Sequence, residues 1–336
     1  MKIREYLKLA RSFNAVLTGI SPVMGAIAMQ YYDITHLIIL FFIGFFGHTY
    51  GFVLNDILDY KIDRYEKELK DRPLVSGTIT LRNAKIFAFA SLLISLLLAV
   101  YLSIVTQSYI SFVVLLISAC FVTMYDLISK KLPLTDIILA AGVFFLVLYG
   151  ATATSTTIAQ ITLLAWVVCL LGAIQVLYMN IVAGGLKDIE NDSQKGANTL
   201  AVKLGVRILN QTFKVTTSFY IVAYMIQFVD IFFVALPFFL IPAFISSPYL
   251  ILQAVLLILI SIAMLVFSYK LLSLPRFNRD LVRKYNGLHY YTNFALVPVM
   301  LMTLTPWALI LIVFPALGFV LSNLTLHGTL LQPKTM

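Results

Sequence analysis

Apolar residues fill this chain in long runs, and polar residues collect in the short stretches between them. The runs extend from Phe13 to Gln30, His36 to about Asp59, Asn83 to Val105, Tyr109 to Ile128, Leu134 to Ala153 and Ile158 to Ala183. A further apolar region covers Val215 to Lys270, and the last covers about Tyr290 to Leu324. A helix needs about 20 mostly apolar residues to cross a bilayer. Lipid offers the backbone no hydrogen-bond partner, so such runs must be helices or the strands of a closed barrel. Barrel strands alternate in polarity and cross in about ten residues, whereas these runs are longer and evenly apolar. The pattern predicts an all-α, polytopic membrane protein.

Basic residues give the connections a direction. Lys2, Arg4, Lys8 and Arg11 precede the first run, a dense basic stretch from Lys61 to Lys85 separates the second from the third, and Lys130 and Lys131 follow the fourth. Lys187 to Lys214 follow the sixth run, and Lys270 to Lys284 precede the last. The intervening loops, Gln30 to Thr35 and Ala151 to Gln160, carry neither Lys nor Arg. Basic loops stay on the cytoplasmic side, so the N-terminus and these loops are expected there, in a multi-pass protein of the cell membrane. Val215 to Lys270 then begins and ends inside and must hold an even number of spans. Two fit, joined through the Pro237, Pro242 and Pro248 stretch. The last region is either one long tilted span or a hairpin broken near Pro306. The expectation is a single domain over residues 1–336 with nine spans, or ten if residues 305–336 add a C-terminal helix and tail.

Composition agrees: 61% of residues are apolar and 12% charged, against about 25% charged in a soluble domain. The net charge of +9 suits cytoplasmic loops facing anionic lipid, so no nucleic-acid partner is read from it. Cys120 and Cys169 lie inside apolar runs and make no disulfide framework. The basic, amphipathic N-terminus lacks a small-residue cleavage site and is read as retained. Oligomeric state is not legible.

The spans carry almost no ionisable residues; the acids gather at two span ends instead. One cluster is Asn55-Asp56-Ile57-Leu58-Asp59-Tyr60-Lys61-Ile62-Asp63, ending the second run, and the other is Asp188-Ile189-Glu190-Asn191-Asp192, ending the sixth. If the second helix continues, Asp56, Asp59 and Asp63 fall within about 60° of one another, and Asn55 widens the arc to about 100°. Asp188 and Asp192 share a face on a continuous helix, with Glu190 directed away from them. Stacked carboxylates repel and need a counter-charge. Mg²⁺ is a hard cation that typically takes one or two carboxylates together with phosphate oxygens and water. Two such clusters therefore suit a Mg²⁺-bridged diphosphate.

At these residues the chain resembles the UbiA superfamily of intramembrane prenyltransferases. Asn55-Asp56-x-x-Asp59-x-x-x-Asp63 is similar to that family's N-D-x-x-D-x-x-x-D motif, and Asp71-Arg72-Pro73-Leu74-Val75-Ser76-Gly77 to its D/N-R-P-[LI]-x-S-G element. Asp188 and Asp192 match its D-x-x-x-D motif, followed by Lys195-Gly196-Ala197-Asn198-Thr199-Leu200-Ala201-Val202-Lys203-Leu204-Gly205, which looks like K-G-x-x-T-L-A-V-x-L-G. Arg11-Ser12-x-Asn14, and Tyr125 with Lys130, also resemble family positions. The motifs cover Arg11 to Gly205, and the span pattern continues to about Thr303.

The resemblance implies helices around a central cavity open to the cytoplasmic side. A polyprenyl diphosphate would place its headgroup at the carboxylates and its tail among the helices. Breaking the C1–O bond leaves an allylic cation, which a prenyl acceptor attacks at C1. Asp56, Asp59, Asp63, Asp188 and Asp192 are the implied catalytic and metal-binding residues, with Mg²⁺ as cofactor. Tyr125 would stabilise the cation through its ring face, or serve only as an interfacial tyrosine. Asn14, Asn55, Arg72, Lys130 and Lys187 are the implied substrate contacts. Positive-inside charge is the alternative role for Arg72 and Lys130, and a helix–helix hydrogen bond for Asn14. His48, Tyr178 and Asn180 are read chiefly as packing residues. The implied function is prenyl transfer to a quinone-precursor aromatic or a glyceryl ether lipid phosphate. A membrane transporter is the alternative from another class, but it would carry its ionisable residues near the midplane. Another lipid-phosphate transferase is the remaining alternative, although the D-G-x-x-A-R signature of CDP-alcohol phosphotransferases is absent.

Overall fold

The structure is a computed structural model that describes residues 2–65, 69–129, 134–195, 198–209 and 212–330. Its helices are α1 (Lys2–Leu9), α2 (Ser12–Ala28), α3 (Ile34–Asp63), α4 (Leu81–Thr106), α5 (Tyr109–Ile128), α6 (Asp136–Thr152) and α7 (Leu163–Leu177). A π-helical segment, Tyr178–Gly184, leads into the short α8 (Gly185–Lys187), α9 (Ile189–Lys195) and α10 (Leu200–Lys203). There follow a small hairpin of β1 (Arg207–Leu209) and β2 (Thr212–Lys214), then α11 (Thr217–Ala235), α12 (Pro237–Leu240), α13 (Pro242–Ile245), α14 (Leu250–Leu272), α15 (Arg279–Leu301) and α16 (Ile310–His327).

Seven helical segments among the described residues are long and apolar enough to cross a membrane, and α2 and α6 are shorter apolar helices. The chain is thus a multi-pass membrane protein. The region after Tyr290 is divided: α15 ends at Leu301, Thr305 is extended, and a 3₁₀ turn at Pro306–Leu309 opens α16. Pro306 has no backbone N–H to continue a helix, which puts the break where the hairpin alternative required it. The near absence of charge within the apolar runs has an exception among the described residues. Asp230 lies within α11 and is 1% exposed.

The described chain forms two compact units, Met1–Leu127 with Phe145–Trp166 and Val313–Met336, and Ile128–Phe144 with Val167–Ile312. In the first, helices approach through glycines. A Cβ on Gly150 would lie 1.7 Å from the Pro22 carbonyl oxygen, and one on Gly25 2.1 Å from that of Val147. Small residues let apolar helices approach closely where the hydrophobic effect gives no drive between them. Buried hydroxyls add polar links, since Ser103 Oγ lies 3.1 Å from Ser111 Oγ, and Ser108 Oγ donates to the Thr152 carbonyl at 2.6 Å. Leu9, Val53, Leu74, Ile79, Ala84 and Ala88 form an apolar cluster in this unit, so the loop after α3 is anchored in the core.

The second unit has its own cluster, built on Tyr178, Val182, Leu186, Ile189, Val206, Phe213, Phe219, Leu271 and Val282. The side chain of Thr216 caps α11 and also donates to the Leu204 carbonyl at 2.6 Å. Asn278 Oδ1 accepts from the Asp280 and Leu281 N–H groups, 3.0 Å each, capping α15. Caps matter at these ends because the first turn of a helix leaves its N–H groups without intrahelical partners.

Candidate active site

The helix that carries the first motif continues through it: α3 runs unbroken to Asp63. Asp56 and Asp63 are 4% and 5% exposed, and two arginines answer their charge. Arg11 Nη2 donates to Asp56 Oδ1 at 2.8 Å. Arg72 Nη1 donates to Asp63 Oδ2 at 2.6 Å and lies 3.5 Å from Asp56 Oδ1. Asp59 is half-buried on the same helix.

Local backbone geometry places both arginines. Arg11 interrupts the α1–α2 connection with φ 46 and ψ 49, the left-handed region. Its guanidinium sits 4.8 Å from the centre of the Phe52 ring, one turn before Asp56. Left-handed backbone costs a non-glycine residue about 1–2 kcal/mol, and the ion pair and ring contact offset it. Arg72 opens a loop that folds back on itself. The Ser76 N–H donates to the Arg72 carbonyl at 2.8 Å, and the Ile79 N–H and Thr78 Oγ1 donate to the Pro73 carbonyl at 3.0 and 3.1 Å. Gly77 supplies the positive φ of 72 that the turn requires. The R-P-L-V-S-G string is therefore a device that anchors Leu74 and Ile79 in the core and turns Arg72 onto the acids.

A further carboxylate joins this neighbourhood. Asp126, near the end of α5, accepts a long 3.4 Å contact from Asn55 Nδ2. Its Oδ2 is buried and has no hydrogen-bond partner among the described residues. Tyr125 precedes it, half-buried. Tyr50 OH lies 2.9 Å from Thr123 Oγ1, which fixes α3 against α5 one turn earlier. Asn14 is half-buried on α2, its backbone N–H bonded to the Arg11 carbonyl at 2.9 Å. Lys130 lies outside the described residues. His48 is buried, with Nδ1 2.9 Å from Thr18 Oγ1.

The second motif lies in the other unit. The helix is not continuous through it: Asp188 has φ −101 and ψ 2 and separates α8 from α9. This corrects the expectation of an uninterrupted helix. The Asp192 N–H still donates to the Asp188 carbonyl at 2.9 Å, so a full turn connects the pair. Lys187 Nζ lies 3.6 Å from Asp188 Oδ2, and Arg279 Nη2 3.9 Å from Asp188 Oδ1. Asp192 is half-buried, while Glu190 is exposed.

Among the described residues no group of three or more His, Cys, Asp or Glu side chains is gathered closely enough to hold a metal by itself. A protein-only cage is not what Mg²⁺ requires, because one or two carboxylates suffice when phosphate oxygens and water complete the shell. The donors here are hard carboxylate oxygens, and the buried Asp126 Oδ2 lacks a partner. The residues fit a hard divalent cation bound together with a phosphate.

Arg11, Asp126 and Arg279 were not singled out as site residues from the sequence. For Asp126 the signal is an acid at a span end beside Tyr125. For Arg11 it is position within R-S-x-N. Arg279 carries no local signal beyond membership of a basic loop.

Residues 16–272 match the UbiA prenyltransferase family. Digeranylgeranylglyceryl phosphate synthase of Methanocaldococcus jannaschii is 28% identical over 211 residues, covering 62% of this chain and 70% of that protein. The Sulfolobus acidocaldarius protein of the same name is 28% identical over 245 residues, covering 71% and 80%. A solved structure concerning digeranylgeranylglyceryl phosphate synthase in membranes has a TM-score of 0.61 at 24% identity, covering 92% of this chain and 99% of that one. A UbiA homolog from Archaeoglobus fulgidus bound to GPP and Mg²⁺ gives a TM-score of 0.61 at 16% identity, covering 87% and 99%. The two structures share the fold of this chain.

Proposed function

As the chain belongs to the UbiA prenyltransferase family, we propose that it transfers a polyprenyl group from a polyprenyl diphosphate to a glyceryl ether lipid phosphate within the membrane, using Mg²⁺. The names of the relatives favour this acceptor over a quinone-precursor aromatic. In this reading the chain crosses the cell membrane nine or ten times, its N-terminus and both acidic motifs are cytoplasmic, and its cavity opens on that side.

The observation that carries the reading is Arg72, bonded to Asp63 and within 3.5 Å of Asp56. A guanidinium presents a fork suited to phosphate oxygens, and the carboxylates around it would hold the cation of a metal–diphosphate. Asp56, Asp59 and Asp63, with Asp188 and Asp192, are the proposed metal-binding set. Bound Mg²⁺ would neutralise the diphosphate and make it a better leaving group. Arg72, Lys130 and Lys187 take its oxygens, and Asn14 and Asn55 orient it. The C1–O bond breaks with its electron pair going to diphosphate, and the Tyr125 ring face stabilises the allylic cation. The acceptor oxygen attacks C1 and loses its proton.

The test incubates purified protein and Mg²⁺ with labelled geranylgeranyl diphosphate and a panel of acceptors. Label in an ether lipid phosphate is the expected result. Label only in an aromatic acceptor replaces the acceptor, and no transfer to any member overturns the reading.

A further inference from the structure

The second motif is delivered by an unusual piece of helix. Between α7 and α8 the chain takes seven residues of π-helix, Tyr178–Gly184, in which the Gly185 N–H reaches back five residues to the Asn180 carbonyl. π segments are rare and frequent at functional sites. The α-helix is the common alternative for the same residues. Relaxation by one residue turns everything after it by about 100°, and Asp188 follows four residues later.

One face of α15 opposes that relaxation. Arg279, Asn286 and Asn293 recur every seven residues and so lie within about 40° of one another. Asn286 Nδ2 donates to the Ala183 carbonyl, inside the π segment, at 2.9 Å. The Asn293 carbonyl accepts from Gln175 Nε2 at 3.0 Å, before the segment begins. His289, one turn beyond Asn286, stacks on Tyr178 with ring centres 3.8 Å apart and planes at 10°. Tyr178 OH lies 2.6 Å from Ser268 Oγ, and Gln227 bridges Ser268 and His289 at 3.0 and 3.1 Å. Tyr178, His289, Gln227, Ser268 and Asn293 are all at most 2% exposed. Tyr178, Ser268, Gln227 and His289 are linked side chain to side chain, and breaking any member strands the others, whereas Asn286 grips through Nδ2 and Asn293 through its backbone carbonyl, their Oδ1 atoms having no hydrogen-bond partner among the described residues. The segment is thus gripped before, at and within its π turns, and Arg279 of the same face reaches Asp188.

We propose that Asn286 is a positioning residue for prenyl transfer, holding the π segment open so that Asp188 points to the metal–diphosphate. α15 lies beyond the family match, which ends at residue 272. The inference rests on the metal-binding role proposed for Asp188, and its test separates the two. Hydrogen–deuterium exchange of residues 178–188 is compared in detergent for wild type, Asn286→Ala and the milder Asn286→Ser, which keeps a donor hydroxyl. Asn286→Ala is expected to speed exchange there about tenfold, the size of one buried hydrogen bond, with α11 and α14 unchanged. Its half-saturating Mg²⁺ concentration should rise several-fold while KM for prenyl diphosphate at saturating Mg²⁺ holds, and Asn286→Ser should recover part of both. Unchanged exchange in both variants overturns the proposal, as does a uniform rise over α11 and α14. Localised exchange in Asn286→Ala with no Mg²⁺-dependent transfer in the wild type instead sinks the metal role and leaves the clamp.

Discussion

Arg72 donates to Asp63 at 2.6 Å across nine positions of sequence, which sets its guanidinium on the acidic face of α3. The same nitrogen lies 3.5 Å from Asp56. In the function proposed above, an arginine that serves both carboxylates would meet the anion that a carboxylate-bound metal brings.

Removing that arginine should weaken substrate binding before it weakens the fold. Hydrogen bonds to charged groups are worth about 1.5–3 kcal/mol, or roughly ten- to a hundredfold. Arg72→Ala is expected to raise KM for prenyl diphosphate by that factor and remain monodisperse in detergent. Arg72→Lys keeps the charge but not the fork and should fall between. An unchanged KM in initial-rate measurements would remove Arg72 from the diphosphate site.

Arg11 separates backbone strain from charge. Its φ of 46 suits glycine better than alanine. Arg11→Gly should therefore melt above Arg11→Ala, by a margin near 1 kcal/mol in stability. Both variants lose the bond to Asp56 and should lose turnover together. Equal melting temperatures would show that the turn relaxes once the ion pair is gone.

Metal removal and the second motif form one experiment. Excess chelator should abolish turnover, and Mg²⁺ should restore it. Asp188→Ala and Asp192→Ala should each cut turnover by orders of magnitude. Glu190 is exposed, and its alanine variant should stay within about 0.5 kcal/mol of wild type. Full turnover in chelator, or an inactive Glu190→Ala, contradicts the assignment.

The glycine contacts predict a contrast within one unit. A methyl group on Gly150 meets the Pro22 carbonyl at 1.7 Å, whereas on Gly47 the nearest atom is Ser95 Oγ at 4.0 Å. Gly150→Ala should lower the melting temperature in detergent sharply, since overpacking costs about 1–3 kcal/mol or more. Gly47→Ala should be neutral or slightly stabilising, because alanine favours helix. Similar melting temperatures would mean that α2 and α6 are free to move apart.

Much of this is legible in the sequence alone. Hydrophobic run length marks helices because a bilayer sets one thickness for all of them, so Tyr109–Ile128 matched α5 to the residue. The spacing of Asp56, Asp59 and Asp63 needed only a continuous helix, and α3 supplies it. The break at Asp188 was not legible, since the nearby Gly184-Gly185 pair lies within helix and no proline or glycine stands at the break itself. Nor was Asp230, whose burial depends on neighbours distant in sequence.

By itself the sequence determined the membrane class, the positions of α2 to α7 and the family, because these follow from run length and from motifs local in the chain. Only the tertiary structure decided which polar groups meet: Arg11 with Asp56 across 45 positions, Asn55 with Asp126 across 71, and Asn286 with the Ala183 carbonyl across 103. Such pairings depend on how helices rotate and cross. Side-chain shape at distant contacts sets that rotation, and no local pattern records it.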